Sequence, residues 1–336
     1  MPREIPPPIR ERRSFVSQRF VAVLGECVAD TFADPAGARP GELALRVLPG
    51  GGPANTAVAL ARLGTPTRFL GRISDDAFGG LFRAHLGSAG VDLGAVVAAP
   101  EPSTLAIATV DDLGQARYAF HADRAADWQW SGAELAALPL ADASCLHTGS
   151  LALVREPGGA LVEHLVERAR AGLTVSIDPN VRPQLVDPAV YRARLDRWCE
   201  LADILRLSSD DLELLLPGVP PERACDGWHA AGARLVVITL GGAGALVSLD
   251  GERVRVPAPE VAVVDTVGAG DSFTAGLLHR LAHLGRLGGR LGGLSLAEAA
   301  AACRFAAEVA ALTCSVPGPN PPWAEQLGTP RQGQGS

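Results

Sequence analysis

VDTVGAGDSFTAGLL, residues 263–277, sets a β-branched run directly before a Gly-Ala-Gly turn and places an aspartate where an apolar helix begins. Val263 to Val267 reads as a strand, Gly268, Ala269 and Gly270 as the turn, and Ser272 to about Leu284 as the helix, with Asp271 on its first turn. Free backbone N–H groups at a helix start attract anions. A carboxylate beside them repels a phosphate unless it has a task there. One task fits: Asp271 accepts a proton from a hydroxyl as that hydroxyl attacks phosphorus, while the turn cradles the charge that develops. A tight glycine turn with a capping aspartate explains the same residues equally well when they are taken alone.

The rest of the chain narrows the choice. It has 336 residues, 47% of them hydrophobic and 20% charged, with a net charge of −7. That is an ordinary globular composition, long enough for one large α/β domain or two smaller ones. No basic stripe suggests nucleic acid, and no apolar run reaches the roughly 18 residues of a membrane span. The opening MPREIPPPIRERRSF is rich in Pro and Arg and lacks the apolar core of a secretory signal. Residues 1–18 are expected to be a disordered extension and 325–336 a disordered tail. Six cysteines (27, 145, 199, 225, 303 and 314) form no C-x-x-C pair, which suggests reduced thiols in a cytoplasmic protein. All 30 basic residues are arginine. A Walker A lysine, a kinase strand lysine and a pyridoxal Schiff base are therefore excluded.

Further along, RFVAVLG (19–25) reads as a first strand ending at Glu26, Cys27 and Asp30, and ELALRVL as a short strand before PGGGPANTAVALARLG. There the glycines make a turn and Ala54 to Leu63 has helical spacing. Residues 104–121 alternate as a hairpin around DDLGQ. From residue 144, SCLHTGS, LTVSIDPN, DILRLS and LVVITLGG are short apolar runs separated by segments of helical length. This alternation predicts an α/β fold, a doubly wound, mostly parallel sheet flanked by helices. A small β-sheet lid is expected from about 31–49 and 103–122. Ligands in such folds bind beyond the carboxyl ends of the strands. Asp30, the Gly50–Asn55 turn, Asp178, Ser208 and Gly268–Asp271 are all read at strand exits, where they can converge on one cleft.

Together, VDTVGAGDSFTAGLL and GGGPANTAVALARLG…GRISDDAFG resemble the two signature regions of the ribokinase-like (PfkB) carbohydrate kinases, in the right order and across roughly residues 19–324. The resemblance implies a kinase domain over that range, using ATP, Mg2+ and K+, with Asp271 as base and Gly268, Ala269 and Gly270 as anion hole. It further implies that Asp30, Gly51, Gly52 and Asn55 hold sugar hydroxyls. The residue types suit that work: Asp30 accepts two hydroxyls, Asn55 both donates and accepts, and the glycines let the backbone approach a sugar ring. Taken singly, Asn55 is equally a cap for a helix over 56–63, and Asp30 a turn residue.

In VVITLGGAGALV, Thr239, Gly241 and Gly244 fall where the family places its nucleotide, and the string lacks the helix that a Rossmann fingerprint requires. RLSSDDLELL stands where the family carries Asn-x-x-Glu near magnesium. The matching residues are Ser208 and Asp211, so Asp211 orients a metal-bound water or simply serves the helix dipole. Carbonyls near Asp265 and Val267 are implied for a monovalent cation. His121 and His147 read as structural, and Trp128 and Trp130 as packing under a loop or lid. GECVADTF, DPNVR and YAFHADRAADWQW lean toward fructokinases, with Arg182 either reaching substrate or phosphate or standing as an ordinary surface arginine after a turn. A 2-keto-3-deoxygluconate kinase shares the Asp-x-Asn-x-Arg segment. Ribose, or a catalytically silent binding protein on the same fold, stays open. The face of the minor β element suggests a homodimer.

Overall fold

Apolar runs of about five residues, too short for helices, become strands buried on both faces. The structure, a computed structural model, describes residues 19–33, 39, 41–110 and 116–327. In chain order these give β1 (Phe20–Leu24), β2 (Val28–Ala33), β3 (Leu45–Gly50), α1 (Gly52–Arg62), β4 (Thr67–Leu70), β5 (Arg72–Ser74) and α2 (Ala77–Ser88). Next come β6 (Val97–Ala99), β7 (Thr104–Val110), β8 (Ala116–His121), α3 (Gly132–Ala136), β9 (Ala143–Gly149), α4 (Gly158–Ala169) and β10 (Thr174–Asp178). Then follow α5 (Pro188–Leu201), β11 (Ile204–Ser208), α6 (Ser209–Leu215), α7 (Pro221–Ala231) and β12 (Leu235–Thr239). The chain closes with β13 (Ala245–Leu249), β14 (Glu252–Val256), α8 (Ala269–His283) and α9 (Leu296–Cys314).

Eight strands form the main sheet in the order β14-β13-β12-β11-β10-β9-β1-β4. It is parallel from β4 to β12, and β13 and β14 add an antiparallel hairpin at one edge. Alternate residues of each strand feed separate cores. Leu24, Leu146, Ile177, Leu205 and Leu207 pack with Trp198 and Trp228 on the α5/α7 side. Val21, Val23, Ile204 and Val237 pack with Leu60, Leu277 and Ala306 on the α1/α8/α9 side. Truncating a fully buried leucine such as Leu277 to alanine costs about 2–5 kcal/mol. Among the described residues no helix is long and apolar enough to cross a membrane.

A second sheet, β3-β2-β7-β8, stands at the exit of β1. Asp127 ties its two inner strands to the main body. Its carboxylate accepts the Cys27 N–H at 2.9 Å and the Thr104 hydroxyl at 2.7 Å. Trp128 and Trp130 lie buried just beyond it, and the Trp128 indole donates to the Ala122 carbonyl at 2.8 Å.

Three local expectations need correction. Val263–Val267 is not a strand: Val263, Val264 and Val267 are exposed, and the N–H groups of Val264 and Asp265 both donate to the Cys314 carbonyl at the end of α9. With the sheet edge already taken by β14, this β-branched run has no ladder to join. Asp30 does not sit at the exit of the first strand; it lies within β2, opposite Leu48 and Ala106. Asn55 is not a cap, because α1 starts at Gly52 and buries Asn55 within its length. The expected tail meets a single 3-10 turn at Ala324–Gln326. Residues 1–18, 328–336 and the DDLGQ hairpin tip lie outside the described residues.

Candidate active site

The site is organised by the start of α8. Gly268 takes φ 76°, in the left-handed region, and a Cβ there would stand 2.7 Å from the Pro319 Cβ. Glycine is therefore demanded twice, by backbone angle and by the closing segment after α9. The Ala269 N–H is used by the Thr266 carbonyl. Gly270 and Asp271 occupy the first helical turn, where N–H groups have no intrahelical acceptor. Asp271 lies half-buried in that turn, and its Oδ2 accepts from the Asn55 Nδ2 at 2.8 Å. Burial pushes its carboxyl up to about 6, against the pull of the Asn55 hydrogen bond and the Arg182 charge.

α1 delivers the other wall. Gly51 has φ 103°, and a Cβ there would meet the Glu26 carbonyl at 2.6 Å. A Cβ on Gly52 would strike the Asn180 side chain at 2.5 Å, with Asp271 Oδ1 at 3.3 Å. Together these pieces line a cavity of about 330 Å³ that also holds Asp30, Arg182 and Glu26. Asp30 is raised to about 6 by burial, opposed by Arg182. Glu26, 2% exposed, is pushed up to about 7 chiefly by burial, and its Oε2 has no hydrogen-bond partner. Arg182 is exposed and faces this group of carboxylates.

A second cavity, of about 270 Å³, lies on the other side of the same turn. Thr239, Gly241 and Gly244 line it at the β12–β13 turn, facing Ala310 and Cys314 of α9. Gly244 has φ 91°, and a Cβ there would fall 1.9 Å from the Val256 carbonyl oxygen. Arg206, Thr266 and Gly270 line both cavities. The two spaces thus meet at the helix start.

Residues 18–326 match the model for pfkB family carbohydrate kinases. The chain belongs to that family. A fructokinase of Rhizobium leguminosarum bv. trifolii is 37% identical over 263 residues, 78% of this chain and 79% of that protein. A solved fructokinase of Xylella fastidiosa with bound ATP superposes with a TM-score of 0.80 at 27% identity, covering 90% of this chain and 94% of that one. A Vibrio cholerae O395 fructokinase holding fructose, ADP and calcium gives 0.76 at 28% identity over the same shares.

In this carbohydrate kinase, Asp211 does not reach either cavity. One oxygen accepts the Val181 N–H at 2.8 Å, and the other closes a capping box with Ser208 at the start of α6. Both oxygens are consumed in holding the β10 exit turn to α6. Among the described residues no group of three His, Cys, Asp or Glu is placed to hold a metal. Asp265 accepts from the Val267 N–H at 3.0 Å and the Gly318 N–H at 2.9 Å, tying the loop before α8 to the one after α9. His147 is buried against the Ser176 hydroxyl, while His121 is exposed. Sequence reasoning passed over Glu26, Asn180 and Arg206 as site residues. The available signals were a glutamate directly after a buried strand, an asparagine in DPN that takes φ 40°, and an arginine inside an apolar strand.

Proposed function

We propose that this enzyme transfers the γ-phosphoryl group of ATP to a hydroxyl of fructose, with Asp271 as the base. The observation that carries the reading is the position of Asp271, beside Gly270, where the two cavities meet. The fructose hydroxyl oxygen forms the new bond to the γ-phosphorus, and its proton passes to the Asp271 carboxylate. The bond from that phosphorus to the β–γ bridging oxygen breaks, and its electron pair leaves with ADP. Asn55 holds the carboxylate in line through one hydrogen bond. Gly268, Ala269 and Gly270 form the anion turn; the Ala269 N–H is taken by Thr266, and the N–H groups of Gly270 and Asp271 in the first helical turn are those left to complement developing charge. When bound, Mg2+ neutralises charge on the nucleotide phosphates.

Asp30, Gly51, Gly52, Asn55 and Arg182 hold the sugar, and Thr239, Gly241 and Gly244 line the nucleotide. A neutral polyol is favoured over a sugar acid such as 2-keto-3-deoxygluconate. Three carboxylates, Glu26, Asp30 and Asp271, face the larger cavity against the exposed Arg182 and against Arg206, whose charge is paired with Asp178, so a bound carboxylate would meet net repulsion. Potassium belongs, on this reading, with carbonyls of the Asp265–Val267 loop. A homodimer belongs with the small sheet, whose approach carries Leu43 and Leu45 at 72% and 40% exposure.

One experiment tests the whole reading. ADP release is followed with Mg-ATP across fructose, glucose, ribose and 2-keto-3-deoxygluconate, in potassium and then in sodium, with sedimentation of the same sample. Wild type is expected to turn over fructose, faster in potassium, as a dimer. Asp271→Asn is expected to keep fructose affinity and lose about 10²–10⁴ in kcat. Full activity in that variant refutes the base, and turnover only on the sugar acid overturns the substrate.

A further inference from the structure

The geometry points to Arg206 as a phosphate-contacting catalytic residue: its guanidinium, fixed between the two cavities, meets the γ-phosphoryl group as it passes from nucleotide to sugar. This inference rests on the kinase reading given above. It begins with an anomaly in the sheet. β11 is a central strand, buried on both faces, and such strands read as continuous apolar runs. Ile204, Leu205 and Leu207 obey that rule, whereas Arg206 breaks it with a side chain only 6% exposed. By alternation it shares the α8-facing side of the sheet with Ile204.

Its partners fix the guanidinium at the strand ends. Nη1 donates to Asp178 Oδ2 at 2.8 Å, and Nη2 donates to the Thr239 hydroxyl at 2.9 Å, so three adjacent strands hold the group. A guanidinium has five N–H donors, and these bonds take two of them. Nε is buried without any partner. The group packs directly on the anion turn: a Cβ added to Gly270 would lie 2.8 Å from Nη1 and 3.1 Å from Nη2. Of the arginines lining these two cavities, Arg206 alone lines both. A salt bridge that only fastened β10 to β11 would have no need of this junction, nor of unused donors. In a chain without lysine, fixed positive charge for phosphate must come from arginine or metal, and a planar fork suits phosphate oxygens.

The test uses the full-length protein with Arg206→Lys and Arg206→Gln. Steady-state kinetics with Mg-ATP and fructose are combined with direct binding of fructose, ADP and a non-hydrolysable ATP analogue. Arg206→Gln is expected to lower kcat about 10²–10³-fold, the range for losing one preorganised charge-stabilising donor. Arg206→Lys keeps the charge without the fork and is expected to lose about tenfold. In both variants the preference for the ATP analogue over ADP falls about tenfold, while fructose affinity stays within twofold. A merely structural arginine would weaken both nucleotides together and leave that ratio unchanged. An unchanged ratio, or kcat within threefold of wild type in Arg206→Gln, overturns the proposal. Should Arg206→Gln fail to fold with Asp178 left unpaired, the same ratio measured on Arg206→Lys decides. If wild type phosphorylates no sugar, the kinase reading fails by itself, and the nucleotide ratio still judges Arg206.

Discussion

The two cavities that meet at Gly270 are built on opposite principles. The larger is walled by directed polar groups, Glu26, Asp30, Asn55, Asn180 and Arg182, several of them charged and partly shielded from water. The smaller, apart from Arg206, Thr239 and Thr266 at its junction end, is walled by residues such as Gly241, Gly242, Gly244, Ala258, Ala310 and Ala311, which offer almost nothing but shape and backbone. A sugar presents several hydroxyls that each need an oriented partner. A nucleobase presents a flat face that needs a slot. The contrast implies that the sugar side fails when one of its own charges is removed, and that the nucleotide side, away from the shared Arg206, fails when its space is filled.

The largest separation of the two sides is expected from Asp30→Ala. Hydrogen bonds to a charged group contribute about 1.5–3 kcal/mol each, so losing one or two should raise the KM for fructose by about 10²-fold. The KM for ATP should stay within twofold. Steady-state kinetics with each substrate varied in turn read this directly, and an equal rise in both would erase the distinction between the cavities. A smaller, mirror-image effect is expected from Ala310→Leu, which adds bulk to the half-buried α9 wall of the apolar cavity. Overpacking typically costs about 1–3 kcal/mol. We expect about a tenfold rise in the KM for ATP with fructose affinity unchanged; a loss on the sugar side would show that the two walls are coupled.

The same contrast governs what could be read from the sequence. The parallel sheet was legible because its strands are short apolar runs at regular intervals, and the helix beginning near Asp271 because an apolar stretch follows a glycine turn. Polar residues next to buried strands drew attention to Asp30, Asn55 and Asp271, and the structure gathers all three around one cavity. The apolar wall was only partly legible, since Ala258, Ala310 and Ala311 look like any helix or loop alanine until the chain folds. Val263–Val267 misled because β-branched residues favour strands only where a partner strand exists. Ser208 and Asp211 carry two readings in the sequence. Ser-x-x-Asp spacing at a helix start is also a capping box, and here the cap consumes the carboxylate. Arg206, which opens RLSSDD, is not legible as a site residue, because the cost of burying an arginine in a central strand becomes visible only once that strand is known to be central.

A further effect concerns stability rather than turnover, and it too should be confined to the polar side. Glu26 has its carboxyl raised by burial from 4.5 to about 7, so the folded chain holds a proton that the unfolded chain releases across that window. Bound protons then favour the folded state, and this contribution is fully present below pH 4.5 and is lost as pH rises through about 7. Asp30, Asp127 and Asp271, each raised to about 6, act in the same direction. Glu298, drawn down to about 2 first by its Arg286 hydrogen bond, acts oppositely and loses its contribution only as pH falls below its ordinary value toward 2. His147 and His279, held down to about 4 by burial, act oppositely up to about pH 6.5, because the unfolded chain takes up protons that the folded chain does not. Above that the buried carboxyls set the slope, and stability should decline from about pH 6.5 to 8. Glu26→Gln removes one titrating group while keeping a neutral side chain of nearly the same shape. Compared with wild type by urea unfolding, it should be nearly neutral at pH 5 and more stable at pH 8, by on the order of 1–3 kcal/mol. Parallel declines in the two proteins would mean that Glu26 titrates normally, and that the polar wall is open to water rather than held apart from it.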